Sequence, residues 1–571
     1  MLTRGEPCVK VGVIHPIESM WLSYGAQDIV SADCATMEAN FKNVTQKLLF
    51  GLIDFDFISE SQMPSLYATT SDSSLKIGEM NYDAIVVPNL RTIRSSTLKI
   101  LTEFQNRGGK VIFIGECPSC VDGMISDDAQ KLFERSLVTP NVSDELLEML
   151  SSERIVNIID ANGSRTGNLI YNLREDNEDK YLFIANAVKS DKTITANPVT
   201  IILEGEYFPQ IMDTMSGEIK DAEFTVADGK TEITYTLYKN DSLLLKLGKY
   251  AGEVGAAPQE EDNRTLSETL SFSSAVEIER EEPNVLVLDM AEYSLRGTNY
   301  KPCEEILRID KMLRESLFNM KPVGGSFWKL RGELVQNYVY LRFTFQSEFE
   351  AECELAYEEA EEVYLNGVEV PVTDSGYYVD TGIRKMPLPK LKCGENTIVI
   401  KAPIARSVRV ENYYLIGDFD VEVEGHSCKI LPPTNQLSFG SIVNQGMPFY
   451  GGNIVYKLKI NTPECDIKLK VSEYRGALLH IYVDGEDKGP LAFDPYIKEI
   501  ENLSAGEHLI EIRFFGNRSN TFAALHNCDK SYRYYSPYAW YTEGEQWSYD
   551  YCFEDTGIMK SPIIEIYEKN Q

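Results

Sequence analysis

Two rhythms of apolar and polar residues divide this chain. Over residues 9–125, short solid apolar runs alternate with stretches of helical spacing: VKVGVI (9–14), FDFIS (55–59), YDAIVVP (82–88) and KVIFIG (110–115). Met37, Phe41, Val44 and Leu48 recur every three to four residues and so fall on one face of a helix. Leu98, Leu101 and Phe104 form a second stripe, with Ser95 suited to cap that helix and Gly108-Gly109 to stop it. Solid apolar strands between amphipathic helices predict an open parallel sheet with right-handed crossovers.

From about residue 150 the period falls to two. LIYNLRE and KYLFIAN flank the polar DNED and read as a hairpin, followed by VTIIL (199–203), TEITYTLY (231–238) and SLLLKL (242–247). The polar, acidic stretch 251–268 reads as a linker or exposed loop. One helix follows, with Pro302 at its start and Ile306, Ile309, Leu313 and Leu317 on one face. After it the chain is short strands to its last residue. There VYLNGVEV (363–370) precedes GENTIVIKA (394–402), and IYVDGEDKG (481–489) precedes GEHLIEIRF (506–514). In each pair an Asn-Gly or Asp-Gly supplies the positive-φ positions of a tight hairpin. The echo predicts two β-sandwiches of one kind, with a single large irregular sandwich as the alternative. The expected domains are an α/β domain over 1–148, a small antiparallel β domain over 149–250, a linker, helix and first jelly roll over 251–435, and a second jelly roll over 436–571.

Composition narrows the function. The 571 residues carry 88 acidic against 55 basic side chains, a formal charge of −33. A phosphate backbone would be repelled, so nucleic acid is excluded as a partner. No apolar run approaches the roughly 20 residues of a membrane helix. MLTRGEPCVK lacks the apolar core of a signal peptide, and eleven irregularly spaced cysteines favour reduced thiols, so a cytoplasmic location is expected. Cys117-Pro-Ser-Cys120 has no second pair at zinc spacing, and none of the five histidines lies in an HxH or HExxH arrangement, so no metal is expected. HPIES (15–19) is unlike a glycine-rich phosphate loop, so no nucleotide cofactor is expected.

Certain stretches resemble known enzymes. YLNGVEV … GENTIVIKA resembles the sugar-binding jelly-roll domain of family 2 glycoside hydrolases, also found in rhamnosidase-type enzymes. ENYYLIGDFDV (411–421), FFGNRSNTFAALHN (514–527) and AWYTEGEQWSYDY (539–551) are similar to segments of the same large bacterial proteins. The front domain resembles the amidotransferase-like domain that follows the catalytic barrel there, a fold shared by β-galactosidase trimerisation domains. The resemblance implies a flavodoxin/amidotransferase-like sheet, an antiparallel β domain and two galactose-binding-like jelly rolls. In those enzymes the chemistry sits in an N-terminal (β/α)8 barrel. Eight such units are not found here, so the resemblance implies the non-catalytic C-terminal part of a glycosidase, its barrel missing, separately encoded or removed. The partners so implied are a carbohydrate, a catalytic barrel and further copies of the chain. An intact glycoside hydrolase with unidentified carboxylates and a stand-alone carbohydrate-binding or scaffold protein stay open.

Candidate chemistry falls in two places. Amidotransfer needs an activated cysteine on a tight turn, but GECPSC lacks the Gly-x-Cys-x-Gly form and Pro118 removes the backbone donor after Cys117. Glu18 lies at the carboxyl end of the first strand, where open α/β sheets bind ligands, with His15 and Trp21 beside it. These three form a pocket or a lip facing a partner barrel; alternatively His15 and Glu18 bond within the loop and Trp21 packs on the sheet edge. Sugar faces stack on aromatic rings and their hydroxyls bond to polar side chains, which singles out Asn517, Arg518, His526, Trp540 and Trp547. Many of these must simply build the sandwich core and its loops, and for any one of them that structural role is the leading reading.

Overall fold

The computed structural model describes residues 2–25, 27–70, 72–187, 196–252, 264–319, 335, 337–406, 408–529 and 542–568. They form two compact units, residues 1–262 with 493–495 and residues 263–492 with 496–571. The molecule is predominantly β, with one five-stranded parallel sheet and several antiparallel sheets.

The first unit opens with β1 (Val11–Ile14), α1 (Ile17–Ser23), α2 (Gln27–Phe50), β2 (Phe55–Ile58), β3 (Ala84–Val87), α3 (Ser95–Asn106), β4 (Lys110–Ile114) and β5 (Leu137–Thr139). The strands are all parallel, in spatial order 2-1-3-4-5. All four residues of β1 and of β3 are buried, as solid apolar runs in a covered parallel sheet should be. Val44 and Leu48 of α2 pack on one face, while Ile100, Leu101 and Phe104 of α3 pack on the other. Ser95 is the first helical residue rather than the cap. The cap residue is Arg94, and the Ser95 amide donates instead to Asp122 Oδ1 at 3.0 Å. A carboxylate 27 residues away replaces the local hydroxyl.

The remainder of this unit packs a six-stranded against a four-stranded antiparallel sheet around Leu169, Leu182, Ile201, Ile233 and Leu245. Leu169–Asp176 and Asp179–Asn186 form a hairpin in full register. Glu6–Pro7, ahead of the parallel sheet, pairs with Leu169–Asp176 and ties the two halves of the unit together.

The second unit holds two apolar cores. One is centred on Leu341, Phe343, Leu355, Tyr413 and Phe419, and the other on Tyr456, Ile467, Ile481, Ile512 and Ile564. The chain does not fill them in sequence order. Thr265–Ser271 and Val276–Arg280 pair with Ile563–Glu568 and Ile454–Thr462 in the second core, so that sandwich is not confined to 436–571. Phe522, Leu525, Tyr551 and Phe553 cross back onto the first core. Strand pairing over 170 residues or more decides this, and local patterning is blind to it. The helix α4 (Ile306–Phe318) also begins later than Pro302 suggests. Pro302 lies in the strand Lys301–Glu305, and Glu305 caps the helix by accepting from the Arg308 amide at 2.8 Å.

Both echoed segments fold alike. β6 (Glu362–Leu365) turns into β7 (Val368–Val370) through Asn366 and Gly367 at φ 52° and 80°, and lies against β8 (Gly394–Ile404). β9 (Leu478–Val483) turns into β10 (Glu486–Leu491) through Asp484 and Gly485 at φ 52° and 79°, and lies against β11 (Gly506–Phe515). Two successive positive φ values are what the right-handed strand twist requires of a two-residue turn. The turn residue is locked the same way each time. The Thr397 amide donates to Asn366 Oδ1 at 3.0 Å, and the Leu509 amide to Asp484 Oδ1 at 2.8 Å. One residue earlier, Asn396 bonds Asn366 at 3.0 Å and His508 bonds Asp484 at 2.6 Å.

Candidate functional site

Strand order 2-1-3-4-5 places a topological switch point between β1 and β3, where a crevice opens at the strands' carboxyl ends. The sequence fills it. His15 continues the strand by donating its amide to Ile58 O at 3.0 Å, and α1 starts at once, without a glycine-rich loop. The Ser19 side chain, fully buried, then occupies the crevice. Its Oγ accepts from the Arg91 and Thr92 amides at 3.0 and 3.1 Å and lies 3.2 Å from Thr92 O, to which it donates. These are backbone groups past the end of β3 that a ligand would otherwise meet.

Beside this plug lies a cavity of about 410 Å³ lined by Glu18, Trp21, Leu22, Arg94, Asp122 and their neighbours. Glu18 Oε1 accepts from Arg94 Nε at 2.9 Å, while its Oε2 is buried without a hydrogen-bond partner. Glu60, fully buried, accepts the Arg94 amide at 2.8 Å. Burial pushes its carboxyl up from the ordinary range and the Glu18 charge adds to this, with the Arg94 amide and Thr97 hydroxyl opposing. Asp122 is held low by the Ser95 hydroxyl and amide. Arg94 thus serves a pair of carboxylates, Glu18 through its guanidinium and Glu60 through its backbone amide.

Trp21, which lines the cavity, is 62% exposed; nearby in the chain, Tyr24 is 79% exposed, Met124 73% and Ile125 92%. Leu22 reaches Gly123, which directly precedes Met124 and Ile125. His15 is not part of the cavity lining. Its ring packs edge-on against Phe41 and Phe57 at 5.1 and 6.0 Å. Glu18 and Trp21 are brought together and His15 is not. Burial and the charges of Asp127 and Glu134 raise the Cys117 thiol, which disfavours the thiolate a nucleophile needs.

The C-terminal candidates separate likewise. Asn517 is exposed and accepts the Ser519 amide at 3.0 Å, and Arg518 grips both oxygens of Glu282 at 2.6 and 2.8 Å. Trp540 lies outside the described residues. His526 and Trp547 do meet, with ring centroids 5.7 Å apart. Arg308 covers the Trp547 ring at 4.1 Å and Tyr549 meets its edge, so little of the ring is left for a sugar.

Around His526 lies a cluster that sequence reasoning did not find. Asp289, 3% exposed, accepts the Tyr551 hydroxyl at 2.5 Å and faces His526 Nε2 at 3.4 Å. His526 Nδ1 points at Ser548 O, 2.9 Å away. Both ring nitrogens therefore face acceptors. Burial opposes a charge on this ring, but Asp289 and Glu305 outweigh it and raise its pKa above the ordinary histidine value. Burial pushes the Glu305 carboxyl up to about 7, with Asp289 adding to the rise. The space among Asp289, Glu305, Asn412, His526 and Asn527 is only about 10 Å³, room for one water at most. One signal was legible: Asp289 interrupts the apolar run NVLVLDM.

No protein family and no curated protein matches the chain. Among solved structures it is similar to a rhamnosidase from a Novosphingobium species, at 12% identity over 90% of this chain and 36% of that one, with a TM-score of 0.43. It is also similar to a β-galactosidase from Bacillus circulans sp. alkalophilus, at 10% identity over 42% of each chain and TM-score 0.28. A third is α-L-fucosidase isoenzyme 2 from Paenibacillus thiaminolyticus, at 11% identity over 43% of this chain and 49% of that one, TM-score 0.27. All three are glycoside hydrolases by name, and the chain spans less than half the length of each.

Proposed function

We propose that this chain is a non-catalytic, accessory part of a carbohydrate-active enzyme, whose α/β rim docks a catalytic domain and whose sandwiches contact carbohydrate. The observation that carries the docking role is the switch-point crevice, filled from within by Ser19, beside a cavity lined by the exposed Trp21 and Leu22, with exposed Tyr24, Met124 and Ile125 one or two residues along the chain from its lining. A ligand crevice is plugged there, whereas exposed apolar side chains are what a partner surface provides. The carbohydrate context comes from the resemblance of the sandwich segments.

On this reading the parallel sheet is a degenerate amidotransferase-like scaffold, and the antiparallel β domain and the two interleaved sandwiches are the further functional modules. The buried Asp289 and Glu305 support it as well. They flank a space too small for a sugar ring, where a glycosidase needs two carboxylates across a bound sugar, roughly 5–9.5 Å apart. A groove of about 810 Å³, with Arg280, Glu282, Glu354, Lys390 and Asp418 beside Ile278, Leu388 and Ile416 on its walls, is the proposed carbohydrate contact. The test is initial-rate measurement of the purified chain on aryl α- and β-glycosides. No aglycone release is expected, and turnover would overturn the accessory reading.

A further inference from the structure

Cys528 and Cys552 lie on two antiparallel segments that close over the buried cluster. The Cys528 amide donates to Gln546 O at 2.8 Å, the Ser548 amide to His526 O at 2.9 Å, and the Cys552 amide to Leu525 O at 2.6 Å. Asn527 and Trp547 form a bridge between them. This frame brings Cys528 Sγ within 3.6 Å of Cys552 Sγ. Neither cysteine is in a disulfide; Cys528 is exposed, and Cys552 is half-buried with Asp550 O 3.8 Å from its sulfur. A disulfide needs its sulfurs at about 2.05 Å, so the gap to close is about 1.5 Å, within reach of small side-chain rotations.

We propose that Cys528 and Cys552 form a reversible redox clip that fastens residues 525–528 to 546–552 across the Asp289–Glu305–His526 cluster. The clip goes beyond the accessory reading and does not depend on it. The co-reactant is a low-molecular-weight disulfide of the glutathione class. The exposed Cys528 loses its proton to solvent, and the thiolate attacks one sulfur of that disulfide. A mixed disulfide forms, and one thiolate leaves and takes up a proton. Cys552, deprotonated in turn, attacks Cys528 Sγ and expels the second thiol. Two protein thiols and one small disulfide become one protein disulfide and two small thiols, the two electrons passing from protein to reagent. Dithiol reductants reverse the exchange.

The covalent link would hold Ser548 and Tyr551 against His526 and Asp289, since all of these lie on or beside the clipped segments. It would also close the chain between the two cysteines into a loop, which removes freedom from the unfolded state.

The experiment uses the full chain equilibrated with oxidised glutathione, quenched with a maleimide and digested without reduction. The expected result is a Cys528–Cys552 linked peptide, a titratable thiol count lower by two, and both changes undone by dithiothreitol. The oxidised protein should also melt several degrees higher than the reduced one. Cys528→Ser and Cys552→Ser should each abolish the linked peptide and the melting shift, while Cys117→Ser leaves both in place. Glutathione adducts without the linked peptide, links that use other cysteines, or a linked peptide with no change in melting would each overturn the proposal.

Discussion

The two hairpin locks reach one backbone geometry by different chemistry. Asn366 and Asp484 hold the same left-handed turn position, and each accepts the amide of the strand residue opposite it. In the first sandwich the second tie is an amide. Asn396, fully buried, accepts from the Lys392 amide and Asn366 and donates to Lys392 O and Gly394 O. In the second it is a histidine between a carboxylate and a carbonyl, with His508 Nδ1 at 2.6 Å from Asp484 and Nε2 at 2.8 Å from Ser504 O. Asp484 is 48% exposed while His508 is buried. In both locks the turn residue is exposed and its partner buried, but one is a pair of neutral amides and the other joins a titratable histidine to a carboxylate. A turn's geometry can therefore persist while its dependence on solvent conditions does not.

The largest effect should come from breaking the amide lock, whose buried Asn396 makes four hydrogen bonds. Asn396→Ala leaves the Lys392 amide and the Lys392 and Gly394 carbonyls without their partner, and should cost about 1–3 kcal/mol, read from chemical denaturation of the first sandwich. His508→Ala leaves an exposed carboxylate that water can serve, so a clearly smaller loss is expected from the same measurement. Equal losses would erase the distinction between the amide lock and the histidine lock.

A second comparison uses pH. The Asp484 hydrogen bond outweighs burial and raises the His508 pKa, while His508 lowers that of Asp484. The histidine's contribution is complete below its unfolded pKa near 6.5 and is lost as pH rises through the higher folded value. The aspartate's contribution is present above about 3.9 and is lost as pH falls through the lower folded value. The second lock should therefore be strongest between these limits, and the first should be flat. Hydrogen-exchange protection of the Leu509 and Thr397 amides reports on each lock separately, and parallel pH profiles would count against this account.

Smaller still is the effect of converting one lock into the other. Asp484→Asn with His508→Asn should remove the pH dependence at Leu509 and shift stability at neutral pH by under about 1 kcal/mol, since a half-exposed pair is worth little. The buried cluster offers a contrast of opposite design. Glu305 is an acid whose folded pKa is raised to about 7, so native stability falls as pH rises from its unfolded value toward that point. Glu305→Gln keeps an oxygen for the Arg308 amide and removes that fall. Its melting temperature should match wild type near pH 5 and exceed it near pH 8.

Legibility in the sequence followed interaction range. The Asn-Gly and Asp-Gly turns were readable because two adjacent residue types carry the whole conformational requirement. β1 to β4 were readable as solid apolar runs, whereas β5 was not, because two of its three residues are exposed. The start of α4 was misplaced because Pro302 suits a helix start, while the actual cap, Glu305, is of a type rarely found there. Glu18 could be singled out from its place after β1, but not its partner Arg94, which is 76 residues away. Asp289 and Tyr551 are 262 residues apart, and only tertiary pairing puts them in one cluster.

The central claim is that this chain presents surfaces and performs no glycoside chemistry of its own. Its most direct test is the aryl-glycoside assay with Glu18→Gln and Asp289→Asn beside the wild type. The account predicts no turnover from any of the three. Wild-type turnover lost in Glu18→Gln would make the plugged crevice an active site. Turnover lost in Asp289→Asn, with the protein still folded, would place the chemistry in the buried cluster. Either result would contradict the accessory role.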